Sequence, residues 1–305
     1  MRVQFKNILC ATDFSEFSNL TANYGVALAR EFEAKLIISH VIDLSSVAIY
    51  GEFQMDPAGQ QNRIMEDAAQ QLEELIGDQP VAWESLITVG KPADEISRAV
   101  EEKNIDLVIA ATRGRSRFKS LILGSVTERL MRTLTCPLLV VRSPAHEFVS
   151  PSDKEVRLQK ILVGCDFSPD SGHAFDYGLS LAQEFQAELH LANVIEPPAQ
   201  PNLIREEMMV SGEAQNDYHD MLIQKLKDMV PGEAANWCTP QTSIMEGQPY
   251  DELIKYANTR DIDMIVLGVR GHGLVKSLFL GSTTDRVIRN APCPVLSVSL
   301  KVQNE

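Results

Sequence analysis

Apolar and polar positions fall into blocks along this chain, and the blocks have two different periods. Ile8–Thr12 is a short apolar run that predicts a strand. After it Leu20, Tyr24, Ala27, Leu28 and Phe32 recur at helical spacing, giving one apolar helix face. Leu36–Ile42 predicts a second strand, and Ile64, Ala68, Leu72 and Leu75 a second helical stripe. Leu86–Val89 lies in a third strand. Pro92 opens a helix carrying Ile96, Ala99, Val100 and Lys103, since proline's missing N–H is harmless in a first helical turn. Leu107–Ala111 is almost wholly apolar, the mark of a strand covered on both faces. A helix over 126–134 and a strand at Leu138–Val141 close the pattern. Residues 43–62 and 196–212 match neither period and read as loops.

The same pattern then runs a second time, ending at Val295–Leu300. Residues 5–42 and 158–195 align without a gap, with 16 identities in 38 positions. Asp13-Phe14-Ser15 returns as Asp166-Phe167-Ser168, Tyr24-Gly25 as Tyr177-Gly178, and Val41-Ile42 as Val194-Ile195. Farther on the offset grows by four residues, and Gly124-Ser125 returns as Gly281-Ser282 and Cys136-Pro137 as Cys293-Pro294. A repeat this long means two whole domains rather than a solenoid of small units. The division reads as 1–145, a linker at 146–157 marked by Ser150, Pro151, Ser152 and Asp153, and 158–305. Alternating strand and helix at these lengths implies parallel strands with helices on both faces. The expected fold class is α/β: two tandem doubly wound domains, each a five-stranded parallel sheet in the order β-α-β-α-β-α-β-α-β.

Charge and cysteine usage narrow the function classes. Twenty-eight Lys and Arg stand against 42 Asp and Glu, for a formal net charge of -14. That balance argues against a general nucleic-acid binder, which needs a concentrated positive field. No apolar run reaches the roughly 18 residues of a membrane span. The apolar stretch near the N-terminus stops at Asp13, so it reads as a strand and not a secretory leader. Five cysteines, an odd number with no Cys-x-x-Cys, suggest buried thiols in a reducing compartment, and the cytoplasm is the expected location.

In doubly wound sheets ligands bind beyond the carboxyl ends of the strands, where strand order reverses. Three features of each repeat converge there: the acid after strand one (Asp13, Asp166), the valine ending strand two (Val41, Val194), and a glycine-bearing loop after strand four. In the second copy that loop runs Gly268-Val269-Arg270-Gly271, nine residues, then Gly281-Ser282. In the first it runs Ala111-Thr112-Arg113-Gly114, nine residues, then Gly124-Ser125. Glycines let main-chain N–H groups approach a phosphate closely. Ser125-x-x-Glu128 and Ser282-x-x-Asp285 read as capping boxes that start the next helix, placing its positive dipole end at the loop. Arg113, Arg115, Arg117 and Lys119 in the first loop, and Arg270, His272 and Lys276 in the second, make local basic patches on an acidic chain. The string of a P-loop is missing, and strand one leads into Asp13-Phe14-Ser15-Glu16 where a dinucleotide fingerprint would need glycines.

These motifs resemble the universal stress protein family, in its tandem form, over nearly the whole chain. Its nucleotide-binding members carry Gly-x-x-Gly, nine residues, then Gly-Ser or Gly-Thr. The resemblance implies ATP, with magnesium as an optional companion. The implied contacts are Thr12, Asp13, Val41, Ala111, Gly114, Arg115, Gly124 and Ser125 in the first copy. In the second they are Cys165, Asp166, Val194, Gly268, Gly271, His272, Gly281, Ser282 and Thr283. Asp and Val would hold the adenine end, the first motif position the ribose, and the later glycines the triphosphate. The first copy departs at Ala111, which would be strained if that position needs a positive φ. Family domains also pair through their last strands, so the two copies are expected to form an internal pseudo-dimer, with homodimers a further option.

Simpler readings stand beside these. Asp13 and Asp166 could merely cap the following helix, and the arginines could be a solvated loop. Cys136 and Cys293 suit buried packing better than nucleophilic work. No Ser-His-Asp, paired-carboxylate or metal-ligand spacing emerges, and five of the six histidines read as structural or surface residues. Three functions therefore remain open: a nucleotide-dependent stress regulator, a stress scaffold with decayed sites, and an enzyme of no more than slow ATP hydrolysis.

Overall fold

The computed structural model describes residues 3–43, 57–112, 123–142, 147–150, 152–197, 212–271 and 281–300. The chain divides into two compact units, one built on Gln4–Ser143 with Val149–Val156, the other on Arg157–Leu300. The first unit contains β1 (Asn7–Ala11), α1 (Glu16–Glu31), β2 (Lys35–Ile42), α2 (Pro57–Ile76), β3 (Trp83–Val89), α3 (Pro92–Glu102), β4 (Leu107–Ala111), α4 (Ser125–Thr133) and β5 (Leu138–Val141). The second contains β6 (Lys160–Gly164), α5 (Pro169–Phe185), β7 (Glu188–Ile195), α6 (Gly212–Met229), β8 (Thr239–Glu246), α7 (Pro249–Arg260), β9 (Met264–Gly268), α8 (Ser282–Asn290) and β10 (Val295–Val298).

Within the first unit the strands lie in the order β3-β2-β1-β4-β5, every pair parallel. The second unit repeats this as β8-β7-β6-β9-β10, again all parallel. The doubly wound α/β reading therefore holds for both. All five residues of β4 are buried, as its unbroken apolar run required. Ala68, Leu72 and Ile76 form the buried stripe of α2. Proline stands in the first turn of α3, α5 and α7.

Element ends depart from the sequence reading in instructive ways. Residues 57–62, read as loop, are the first turns of α2, whose polar glutamines and asparagine hid the helical period. The strand read as Val295–Leu300 ends at Val298. Between α6 and β8 of the second unit, Gly232–Asn236 forms a 3-10 helix. The 146–157 segment holds a small hairpin: Val149 and Val156 bridge in antiparallel fashion, and Ser150 N–H donates to the Glu155 carbonyl at 3.0 Å. Lys154 turns it in the left-handed region, φ 54°.

The repeated Tyr-Gly pair has a packing cause. A Cβ on Gly25 would come 2.2 Å from Cys10 Sγ, and one on Gly178 would come 2.4 Å from Val163 Cγ2. Each helix after a first strand thus lies on its sheet with no side chain between, and glycine is the residue that permits this. Alanine at Gly178 would improve intrinsic helix propensity by about 1 kcal/mol. Overpacking against β6 costs about 1–3 kcal/mol, so the clash wins. Gly178→Ala is expected to lower the stability of the second unit by up to about 2 kcal/mol in urea denaturation; a stabilised variant would refute the close-packing account.

Candidate functional site

The first and fourth strands of each unit pair directly, Ile8 with Leu107 and Ile161 with Met264. Strand order reverses at this pair, so the loops leaving β1 and β4 diverge and open a crevice at their carboxyl ends. The first loop is a tight turn. Ser15 N–H donates to Asp13 Oδ1 at 3.1 Å, and Ser168 N–H to Asp166 Oδ1 at 3.0 Å. The residue between them is left-handed in both units, Phe14 and Phe167 each at φ 62°. A left-handed aromatic residue is a genuine outlier that costs about 1–3 kcal/mol, so the turn over-determines it. Lys225 Nζ lies 4.0 Å from the centre of the Phe167 ring.

The acids do not cap the following helix. Ser15 and Ser168 hold that position, each accepting an N–H three residues on, at 3.2 Å in both units. Asp13 and Asp166 instead receive the N–H of the capping serine, so the capping alternative is corrected. They stand half-buried beside the second strand: Ala11 pairs with Ser39 and Gly164 with Ala192, each two residues before the acid and the valine.

One residue before each valine lies a side chain that the sequence reading passed over. His40 Nδ1 donates to the Thr12 carbonyl at 2.9 Å, and Asn193 Nδ2 to the Cys165 carbonyl at 2.7 Å. Two different side chains make the same tie between strands one and two. Its only signal in sequence was a polar residue at one register position of two apolar strands. The Thr12 hydroxyl is committed to the turn, accepting from Phe14 N–H at 3.0 Å and lying 3.0 Å from Ser18 Oγ. Cys165 is 2 % exposed, and burial pushes its thiol up to about 12. Their main-chain N–H groups are committed too, Thr12 to the Ser39 carbonyl at 2.9 Å and Cys165 to the Ala192 carbonyl at 2.8 Å. Burial also pushes the Cys10 and Cys293 thiols well above their usual range, and none of the five cysteines forms a disulfide.

The loop after strand four is latched at both ends. Gly124 N–H donates to the Thr112 carbonyl and Gly281 N–H to the Val269 carbonyl, both at 2.9 Å. Thr127 Oγ1 reaches the Ala111 carbonyl and Thr284 Oγ1 the Gly268 carbonyl, both at 2.7 Å. The capping boxes read from the sequence do not form. Gly124 and Gly281 are the N-caps, without side-chain hydrogen bonds, and Ser125 and Ser282 are the first helical residues. Glu128 pairs with Arg132 and Asp285 with Arg289 instead of folding back. Ser125 and Ser282 are exposed and Thr283 half-exposed at the helix starts. Gly114, Arg115 and His272, with the other basic residues of 113–122 and 272–280, lie outside the described residues.

In the second unit the structure brings Gly271 against Asp166, for a Cβ there would come 2.6 Å from Asp166 Oδ2. Gly268 meets the start of α5, where a Cβ would lie 2.7 Å from the Asp170 carbonyl carbon and 2.8 Å from Ser171 N. Neither Ala111 nor Gly268 has a positive φ. The glycine is explained by close packing and not by backbone strain, and the first unit accommodates its extra methyl in an ordinary strand.

The universal stress protein family matches the chain twice, over residues 4–142 and 157–299. The chain belongs to that family. Two shorter family members each match somewhat less than half of the chain. Universal stress protein MJ0531 of Methanocaldococcus jannaschii is 29% identical over 145 residues, covering 47% of this chain and 85% of that protein. Universal stress protein YxiE of Bacillus subtilis is 31% identical over 149 residues, covering 45% of this chain and 99% of that protein. A crystal structure of a universal stress protein from Archaeoglobus fulgidus shares the fold, with a TM-score of 0.68 and 23% identity over 97% of this chain and 99% of that one. Among the described residues of this universal stress protein, no helix is long and apolar enough to cross a membrane.

Among the described histidines, His190 is the buried one. Its Nδ1 lies 2.9 Å from the Tyr256 hydroxyl, and its Nε2 faces Glu188 at 3.3 Å. Burial pushes its pKa below the usual imidazole value, against the pull of Glu188 and aided by Arg260 and Lys160. Below about pH 6.5 the unfolded chain takes up a proton that the fold resists, so stability falls as pH drops through that range. His190→Gln should flatten this slope in melting curves between about pH 5 and 7. A second test concerns the glycine of β9: Gly268→Ala should destabilise the second unit by about 1–3 kcal/mol. Ala111→Gly should cost the first unit about 0.5–1 kcal/mol through backbone entropy alone. Equal effects in denaturant melts would deny the packing difference.

Proposed function

We propose that this universal stress protein is an adenine-nucleotide-binding regulator of a stress response, taking ATP at the crevice of the second unit and, with a different fit, at the first. The observation that carries the reading is the second crevice, where the Gly268–Gly271 loop is drawn against Asp166 and closed at Gly281. Asp166 and Val194 would hold the adenine end and Gly268 the ribose. Gly271, Gly281, Ser282 and Thr283, with His272 by the motif, would hold the phosphates. The first-turn N–H groups of α8 have no side-chain cap, which suits an oxyanion.

Magnitudes limit what that helix contributes. An anion at a helix N-terminus gains about 0.3–1 kcal/mol, up to about 2 when partly buried. Micromolar binding needs about 8 kcal/mol, so the loop main chain, its basic residues and the base pocket must supply most of it. On this reading bound nucleotide biases a conformation or a partner surface, in a cytoplasmic setting that suits buried thiols. Ala111 favours a second reading for the first unit alone: a scaffold whose own site is altered.

The internal pairing of the copies belongs to the same proposal. β5 and β10 each end the strand order of their unit and are buried at all four positions, while an exposed apolar edge strand invites association. Val140→Asp or Val298→Asp should then uncouple the unfolding of the two units; a single cooperative transition, unchanged in both variants, would count against pairing.

The direct experiment is mass spectrometry of small molecules released from the denatured protein, with stoichiometry per chain. ATP at a ratio of one to two is expected, reduced by one site in Gly271→Asp. Absence of released nucleotide, with no thermal shift on adding ATP, would leave the scaffold reading for the whole chain.

A further inference from the structure

We infer that Asp170 is a positioning residue that holds the glycine loop of the second unit ready for ligand, a device that the first unit lacks; this rests on the nucleotide reading above. Asp170 stands in the first turn of α5 and is only 7 % exposed. Its Oδ2 accepts the Arg270 N–H at 3.1 Å, and the Leu300 amide, just beyond β10, adds its pull on the same carboxylate. One side chain thus ties the start of α5 to the residue before Gly271. Ser168 Oγ donates to the Arg270 carbonyl at 3.4 Å, so the Arg270 residue is gripped at both of its main-chain polar groups. The short approach of Gly268 to Asp170 and Ser171 brings the loop within reach of this grip.

Burial pushes the Asp170 carboxyl above the usual carboxylate range, against the pull of the Arg270 and Leu300 amides and of the Arg270 and His173 charges. In the first unit the gap-free repeat places Phe17 at this position, where its side chain is exposed rather than buried. Phenylalanine has no acceptor, so the first loop cannot be held in this way. A loop already ordered loses less conformational freedom when ligand arrives, and affinity rises without any new contact. Asp170 touches neither phosphate nor base on this account; it acts through the Arg270 main chain.

The test uses the full chain in a Gly114→Asp background, which places a carboxylate in the first glycine loop and leaves the second unit to report. ATP binding by calorimetry is compared for Asp170, Asp170→Asn and Asp170→Ala. Loss of a hydrogen bond from a charged acceptor predicts about ten- to hundredfold weaker binding in the alanine variant, with asparagine between, since its amide oxygen keeps one acceptor. Amide exchange at Arg270 in the ligand-free protein should quicken in the same order while the melting temperature stays near that of the parent. Unchanged affinity in Asp170→Ala overturns the proposal and leaves the nucleotide reading standing. No ATP binding by the parent, when the chain without Gly114→Asp also binds none, overturns the reading itself. Loss of native melting in both variants marks a purely structural role and also overturns the proposal.

Discussion

The parallel pairing of the first strand with the fourth is the interaction on which both candidate sites depend. It brings together two strands far apart in sequence, and because both end on the same side, their outgoing loops flank one crevice there. The pairing is secured by burial: Ile8, Leu9, Val108 and Ile109 in one unit, and Ile161, Leu162, Ile265 and Val266 in the other, are wholly inaccessible. The helix after the first strand then packs across this pair, α5 on both β6 and β9. Gly178 sets its approach to β6 and Gly268 its approach to the end of β9, so the helix start is fixed where the crevice opens. A shift of that helix would move Ser168, Asp170 and the Asp166 turn together.

What was legible in the sequence follows from which forces leave a periodic trace. Burial does: β4 and β9 read as apolar runs, α3 and α7 as proline-opened helices, and the duplication gave every element a second hearing. Local hydrogen bonding leaves a fainter trace. Asp13 and Ser15 are both good caps by residue type, and only the structure shows that the serine caps while the acid braces the turn. Ser125 and Glu128 fit a capping box by spacing, yet Gly124 takes the cap because its N–H must reach back to the Thr112 carbonyl. The left-handed Phe14 and Phe167 could not be read at all, since nothing in an aromatic side chain announces a positive φ. The tie made by His40 in one unit and Asn193 in the other was hidden by their unlike chemistry.

Comparing the units separates what the fold needs from what each site has become. The same in both are the glycine under the first helix, the serine cap, the left-handed phenylalanine and the threonine that reaches the strand-four carbonyl. These set backbone geometry, and changing any one would disturb the helix or turn that frames the crevice. Different are residues near the second crevice and their counterparts in the first: Gly268 against Ala111, Asp170 against Phe17, Asn193 against His40. Three of the many differences between the copies fall at these positions, while the backbone-setting residues just named are the same in both.

Two of those differences are linked in the second unit. Gly268 lets the helix close on the loop, and Asp170 then has the Arg270 amide within reach. In the first unit alanine and an exposed phenylalanine stand at these positions. A carboxylate at that depth is unfavourable unless a main-chain donor meets it, because an unmatched buried charge costs far more than a hydrogen bond returns. The glycine and the acid therefore belong together in the second unit. One framework thus carries two different crevice sequences, and on the proposal above the one with the intact motif is the one that Asp170 holds.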